Sequence, residues 1–196
     1  MKKLRIGIIG NGGIAKWAHI PAYKNMDNVE IIAVCDILEE RAKEASEMLG
    51  GKPAVFTDYK ELLKAEGLDA VDICTPNYLH SIIAVDALHA GLHVFCEKPV
   101  GLNTAQAKEF VEFEAAHPEV KIGICLQNRL NRTTVELKKI IDGGEYGKVI
   151  GCRGFVPWFR GKAYYDEQPW RGQLKTAGGG CMINQSVHTL DLLYYL

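Results

Sequence analysis

The 196-residue chain has no run of about 18 apolar residues, so nothing in it reads as a bilayer-spanning helix. It also lacks an excess of either charge. Lys and Arg number 23 against 24 Asp and Glu, a formal net charge of -1. That balance leaves no electrostatic footprint for nucleic acid or an anionic membrane, and neither is expected as a partner. C-x-x-C pairs are absent too, although there are six cysteines, at 35, 74, 96, 125, 152 and 181. Four of them sit in or at the end of apolar runs ("IIAVC", "AVDIC", "HVFC", "KIGIC"), as small core residues of a reduced, cytoplasmic protein would. His89, His93 and His117 lack ligand spacing, so no metal is assigned. The start, "MKKLRIGIIGNGG", has two lysines before an apolar stretch, but glycines interrupt it where a secretory core would continue. It reads as a first strand.

What is present is an alternation. Short, β-branched apolar runs occur at 4–9, 29–35, 54–56, 70–74, 92–96 and 120–126. Between them lie helix-like segments such as "GIAKWAHIPAYKNM", "ILEERAKEASEMLG" and "YLHSIIAVDALHAG". Near-continuous apolar strands separated by amphipathic helices predict an α/β fold, a doubly wound parallel sheet covered on both faces. Gly50-Gly51 and Gly91 stand where helix C-termini are expected, and Asn103 where an N-cap is expected. After about residue 129 the pattern changes to a helix, a strand "KVIGCRGFV", an aromatic and charged loop, and one apolar helix over 181–196. A single strand and two helices do not complete a sheet domain. The expectation is therefore a nucleotide-binding domain over 1–128 and a partial second domain over 129–196.

The chemistry begins at Gly10-Asn11-Gly12-Gly13-Ile14-Ala15, a G-x-G-x-x-A between a strand and a helix. Gly10 allows the tight turn, Gly12 lets backbone approach a pyrophosphate, and the helix N-terminus after Ile14 favours the anion. Asp36 ends the second strand about twenty residues later, where a carboxylate can accept both hydroxyls of a ribose. It would repel a 2′-phosphate, so NAD is expected rather than NADP. The fourth strand runs out into Thr75-Pro76-Asn77 and His80, and the fifth into Cys96-Glu97-Lys98-Pro99. Ligands of open parallel sheets lie beyond the carboxyl ends of the strands. Thr75, Pro76, Asn77, His80, Glu97 and Lys98 are therefore expected to line the same crevice as the glycine loop.

In the last segment Asn184, His188 and Asp191 are spaced i, i+4, i+7 and would share a face of one helix. Spacing alone fits a solvated polar stripe on a core helix as well as a site. Arg129, Trp158, Tyr164, Trp170 and Arg171 fit either a sugar-lining loop or ordinary aromatic anchors. His19 reads as a helix-packing histidine beside the crevice.

"GIIGNGGIA", "VCD", "TPNYLH", "CEKPVGLN", "GEYGKV" and "GGGCMINQSVHTLD", in this order, resemble the Gfo/Idh/MocA family of NAD(P)-dependent oxidoreductases. The resemblance implies a Rossmann domain followed by an α/β domain with a large, open, mostly antiparallel sheet. It implies hydride transfer between nicotinamide and a hydroxyl or keto carbon of a sugar, cyclitol or related small molecule. Lys98 matches the family's catalytic lysine and His188 its catalytic histidine. Asn184, Arg129, Trp170 and Arg171 are then expected to meet substrate. Asn184 stands where many members carry an aspartate, and it would orient an imidazole without stabilising its cation. Homo-oligomerisation through the second domain is expected of the full-length protein. The family also leaves room for a cofactor-sensing regulator without turnover, an NAD-dependent glycosidase, or an inactive fragment.

Overall fold

The structure is a computed structural model and describes residues 2–196. Six strands form one sheet: β1 (Leu4–Ile9), β2 (Val29–Cys35), β3 (Ala54–Phe56), β4 (Ala70–Ile73), β5 (His93–Cys96) and β6 (Ile122–Ile124). Their order is β3-β2-β1-β4-β5-β6, and every pair is parallel. The expected α/β architecture with a parallel sheet is present. Parallel neighbours need crossovers, and the segments between strands supply them. They contain α1 (Ile20–Lys24), α2 (Glu39–Met48), α3 (Tyr59–Leu62), α4 (Asn77–His89) and α5 (Thr104–Ala116).

Period-two alternation divides the strands between two buried layers. Ile8, Val34 and Cys74 pack with Ala15, Ile20, Ala42 and Ala45 on one face. Their chain neighbours Ile9, Ala33 and Ile73 turn to the other face, against Leu62, Ile83, Ala84 and Phe110. The approach of α3 is close: a Cβ at Gly7 would meet Leu62 Cδ2 at 2.7 Å. The expected caps form. Asn103 accepts from the Gln106 N–H at 3.1 Å, and Gly50, Gly51 and Gly91 take positive φ of 84°, 71° and 75°.

The first expected helix is not uniform. It opens as a π-helical turn over Ala15–His19, with the Ile20 N–H reaching back to the Ala15 carbonyl, and continues as α1. Pro21 at the start of α1 has no N–H and crowds the preceding turn, so the backbone widens there.

Two compact units divide at Ile124 and Cys125; the domain boundary was expected at 128/129. The second unit holds α6 (Arg132–Gly143), α7 (Lys162–Glu167), α8 (Leu174–Ala177), α9 (Cys181–Asn184) and α10 (Val187–Tyr195). Two sequence expectations fail here. Residues 147–161 carry no helix or strand, so "KVIGCRGFV" is not a strand. The second unit contains no described strand to pair with it, and an unpaired strand leaves its N–H and C=O groups without a ladder. The terminal helix also breaks at Gln185-Ser186, where the Ser186 N–H bonds the Cys181 carbonyl five residues back at 2.7 Å.

Candidate dinucleotide site

Strand order reverses between β1 and β4, and in an open α/β sheet that point opens a crevice at the carboxyl ends. The glycine turn leaves β1 there. Gly10 has φ +89°, and a Cβ on it would strike the Cys74 and Thr75 backbone at 2.8 Å. Only glycine meets both demands. The turn is pinned to β2 by the Gly10 N–H and Asn11 Nδ2, each donating to the Cys35 carbonyl at 2.8 Å. Gly12 is the opposite case. A Cβ there would meet nothing within 4 Å, so the backbone is open to an approaching group.

Asp36 is buried, 7 % exposed, and each carboxylate oxygen already serves the loops. Oδ2 accepts the Asn11 N–H at 2.8 Å and Oδ1 the Leu38 N–H at 3.0 Å. A carboxylate has about four acceptor sites, so the remaining lone pairs can still take two ribose hydroxyls. Asp36 thus braces the glycine turn against the start of the next segment, a role the sequence did not suggest. Asn11 Oδ1 and Thr75 Oγ1 are buried with no hydrogen-bond partner among the described residues. Buried polar atoms are rarely left so unless a ligand or water completes them. With the open Gly12, they fit a dinucleotide at this edge.

Pro76 caps α4, and Asn77 is its buried first residue. His80 is 1 % exposed, and its two nitrogens face the Pro99 carbonyl at 2.8 Å and the Thr75 carbonyl at 2.7 Å. It therefore ties the end of β4 to the turn after Lys98 and does not offer a ring edge to a cofactor. Burial pushes its pKa below the ordinary imidazole value, the two carbonyls opposing this only in part. Lys98 lies two residues beyond β5, and its peptide to Pro99 is cis. Its N–H donates to Glu97 Oε2 at 3.2 Å.

Sequence reasoning missed what lies behind Glu97. His19 Nε2 is 3.0 Å from Glu97 Oε1, and His19 Nδ1 is 2.7 Å from Asp72 Oδ2. Asp72 is fully buried in β4. The available signal was a carboxylate inside the apolar run "AVDIC", since an ionised residue there needs a partner. Side-chain atoms of His19, Asp72 and Cys74 lie within 4.8 Å of one another, but the imidazole already bonds Asp72 directly. Burial, with Asp72 adding to it, drives the pKa values of the Cys74 thiol and the Tyr23 phenol upward, so both stay protonated beside that carboxylate.

In the second unit Arg129 is committed to Asp191, with Nε donating to Oδ2 at 2.8 Å and Nη2 bonding Oδ1, and its guanidinium lies 4.8 Å from the Tyr195 ring centre. Asn184 and Gln185 reach the Tyr164 hydroxyl at 3.4 and 3.2 Å. Arg171 stacks over the Tyr164 ring at 4.3 Å, with Trp170 5.9 Å from the same guanidinium. His188 is buried near the start of α10. The break at Gln185-Ser186 separates Asn184 from His188, so these two and Asp191 do not lie along one continuous helix.

A six-stranded parallel sheet with a glycine turn at its switch point and an acidic residue ending the second strand defines a Rossmann-type dinucleotide-binding protein. The model of an oxidoreductase family with an NAD-binding Rossmann fold, Gfo/Idh/MocA, matches residues 4–122, and that family's C-terminal domain model matches 134–196. The chain belongs to this family. It is 34 % identical over 152 residues to an inositol 2-dehydrogenase of Salmonella typhimurium, covering 77 % of this chain and 45 % of the relative. It is 30 % identical to a myo-inositol 2-dehydrogenase of Thermotoga maritima, covering 98 % and 54 %. The WlbA dehydrogenase of Bordetella pertussis, solved with NADH and UDP-GlcNAcA, superimposes with a TM-score of 0.88 at 32 % identity, covering 100 % and 58 %. The chain spans about half the length of the curated relatives it matches. No described helix is long and apolar enough to cross a membrane.

Proposed function

We propose that the protein is an NAD-dependent oxidoreductase moving hydride between nicotinamide and a hydroxyl or keto carbon of a sugar, cyclitol or related small molecule. The observation that carries this reading is the clustering at one sheet edge of an open Gly12, a buried Asp36, an orphaned Thr75 hydroxyl and Lys98. Gly12 and the N–H groups beginning the next turn would hold the pyrophosphate, and Asp36 the adenosine ribose. The bound nicotinamide supplies the hydride acceptor or donor. Lys98 then acts as an ammonium donor to the substrate oxygen, steadying an alkoxide or polarising a carbonyl. His188 is the base for the hydroxyl proton, a role an imidazole suits near neutral pH. Asn184, Arg129, Trp170 and Arg171 belong to the substrate side of the proposal, as do the open antiparallel sheet of the second domain and an oligomer formed through it. The names of the relatives support inositols, glucosides and nucleotide sugars as the substrates to try first.

Two measurements test this. Titration should show NAD binding roughly 100-fold tighter than NADP, because Asp36 faces the 2′ position. In the whole protein, NADH formation with myo-inositol should fall on the order of 100-fold in Lys98→Met, while NAD affinity changes far less. Normal turnover in that variant would remove Lys98 from the chemistry. Tighter binding of NADP would overturn the role given to Asp36.

A further inference from the structure

The π-helical turn Ala15–His19 begins directly after the glycine loop, and its last residue is His19. Its imidazole is 7 % exposed and lies between two carboxylates, Asp72 Oδ2 at 2.7 Å and Glu97 Oε1 at 3.0 Å. Each short nitrogen–oxygen line needs a proton. Two protons satisfy them whether the ring is an imidazolium between two carboxylates or a neutral ring beside one carboxylic acid. Either arrangement leaves one net negative charge in the buried cluster. The second oxygen of Glu97 accepts the Lys98 N–H at 3.2 Å. Among the titratable groups around the ring are Asp72 and Cys74 on the β4 side, Tyr23 on α1, Glu97 after β5 and Cys125 after β6, with Phe95 5.9 Å from its centre.

We infer that His19 is a positioning residue: it locks the Glu97 carboxylate in place, Glu97 locks the Lys98 peptide, and the phosphate-binding turn and Lys98 thereby form one rigid unit. The inference rests on the reading of Lys98 as the acid–base group. Three features carry it. The widened turn, a form frequent at functional sites, ends on His19, whose ring bonds Asp72 in β4. An imidazole bonded at both nitrogens has no rotational freedom left. And a carboxylate held at both oxygens cannot swing away from the backbone that carries Lys98. A helix-packing histidine would need none of this polar convergence, because an apolar ring of similar size would fill the space.

The first test uses the unmodified protein. Proton–nitrogen spectroscopy of ring-labelled histidine should show downfield, slowly exchanging ring protons at His19, two for an imidazolium or one where a carboxylic acid holds the other proton. Freely exchanging ring protons would overturn the lock. The second compares amide exchange in the wild type with His19→Gln, which keeps one donor nitrogen but has an acceptor oxygen in place of the second. The Lys98 amide should exchange roughly 10-fold faster or more, while Val94 and Phe95 in β5 keep their protection. In the wild type NAD should further protect the Lys98 amide, and in His19→Gln that extra protection should vanish. Uniform loss of protection along β5 would show a merely structural histidine and overturn the proposal. With myo-inositol as substrate, His19→Gln should lower kcat about 10-fold and leave the NAD Kd within about 3-fold. If Lys98→Met retains turnover but the amide coupling is present, the role of Lys98 fails and the lock stands. If Lys98→Met is inactive but the coupling is absent, the lock fails alone.

Discussion

The two units are built on different physics. Up to Ile124 the chain closes two apolar layers around a parallel sheet, and every buried apolar side chain among the described residues except Ala177 lies there. From Cys125 onward α7, α8 and α9 are each six residues or fewer, and large apolar side chains stand in solvent, among them Ile150, Phe155, Phe159 and Tyr194. What fixes that unit internally is polar and aromatic geometry. Arg129 grips Asp191 and covers Tyr195, Arg171 covers Tyr164, and Tyr164 receives the amides of Asn184 and Gln185. Apolar burial contributes about 25 cal/mol per Å², whereas a half-exposed ion pair contributes about 1 kcal/mol or less. The first unit can therefore hold a cofactor loop rigidly by its own packing. The second holds its shape through a few directional contacts, and removing any one of them should be felt locally.

That contrast breaks most readily in the core. Ile73→Ala, at a fully buried position, should destabilise the first unit by about 3–4 kcal/mol, whereas Ile150→Ala should stay within about 0.5 kcal/mol. Chemical denaturation of both variants measures this; equal effects would end the distinction.

Within the first unit, two glycines separate fold from binding. Gly10→Ala places a Cβ against the β4 backbone at positive φ and should cost about 2 kcal/mol or more. Gly12→Ala has room in the protein itself and should unfold like the wild type, yet bind NAD about 10-fold more weakly. A Gly12→Ala protein with unchanged affinity would place the pyrophosphate elsewhere.

Acid sharpens the comparison further. Hydrogen bonds from Arg5 hold the Asp69 carboxyl at about 2, below the ordinary value near 3.9. Its folded pKa is lowered, so its contribution is complete above about pH 4 and disappears as pH falls through 2. Asp69→Asn should cost about 1 kcal/mol at pH 7 and flatten the acid limb of the stability curve. An unchanged limb would show that the pair contributes nothing.

The most local effect lies in the second unit. Arg129→Ala should cost about 1 kcal/mol and speed amide exchange in α10, leaving the sheet untouched. Exchange that accelerates equally in β4 and β5 would show that the two units do not behave separately.

The sheet and its glycine turn could be read from residues alone because their signals are local. Apolar runs of three to seven residues, helix-period segments and a glycine turn each announce themselves within a short window. The failures have equally physical causes. "KVIGCRGFV" has strand composition, but a strand exists only with a neighbour, and composition cannot supply one. The terminal run has helical spacing, but Ser186 bonding five residues back interrupts it, so a face drawn across 184–191 was too simple.

The sequence by itself determined the parallel α/β class, the glycine loop, the strand-end position of Asp36 and the placement of Lys98 just beyond β5. It could do so because strand period and turn chemistry act between residues adjacent in the chain. Only the tertiary structure decided that Asp36 also braces the loop, that His80 ties Thr75 to Pro99, and that His19 meets Asp72 and Glu97. Those last contacts span 53 and 78 residues. They form because the sheet order sets β1 beside β4 and β4 beside β5, a juxtaposition that no periodicity within a strand or helix encodes.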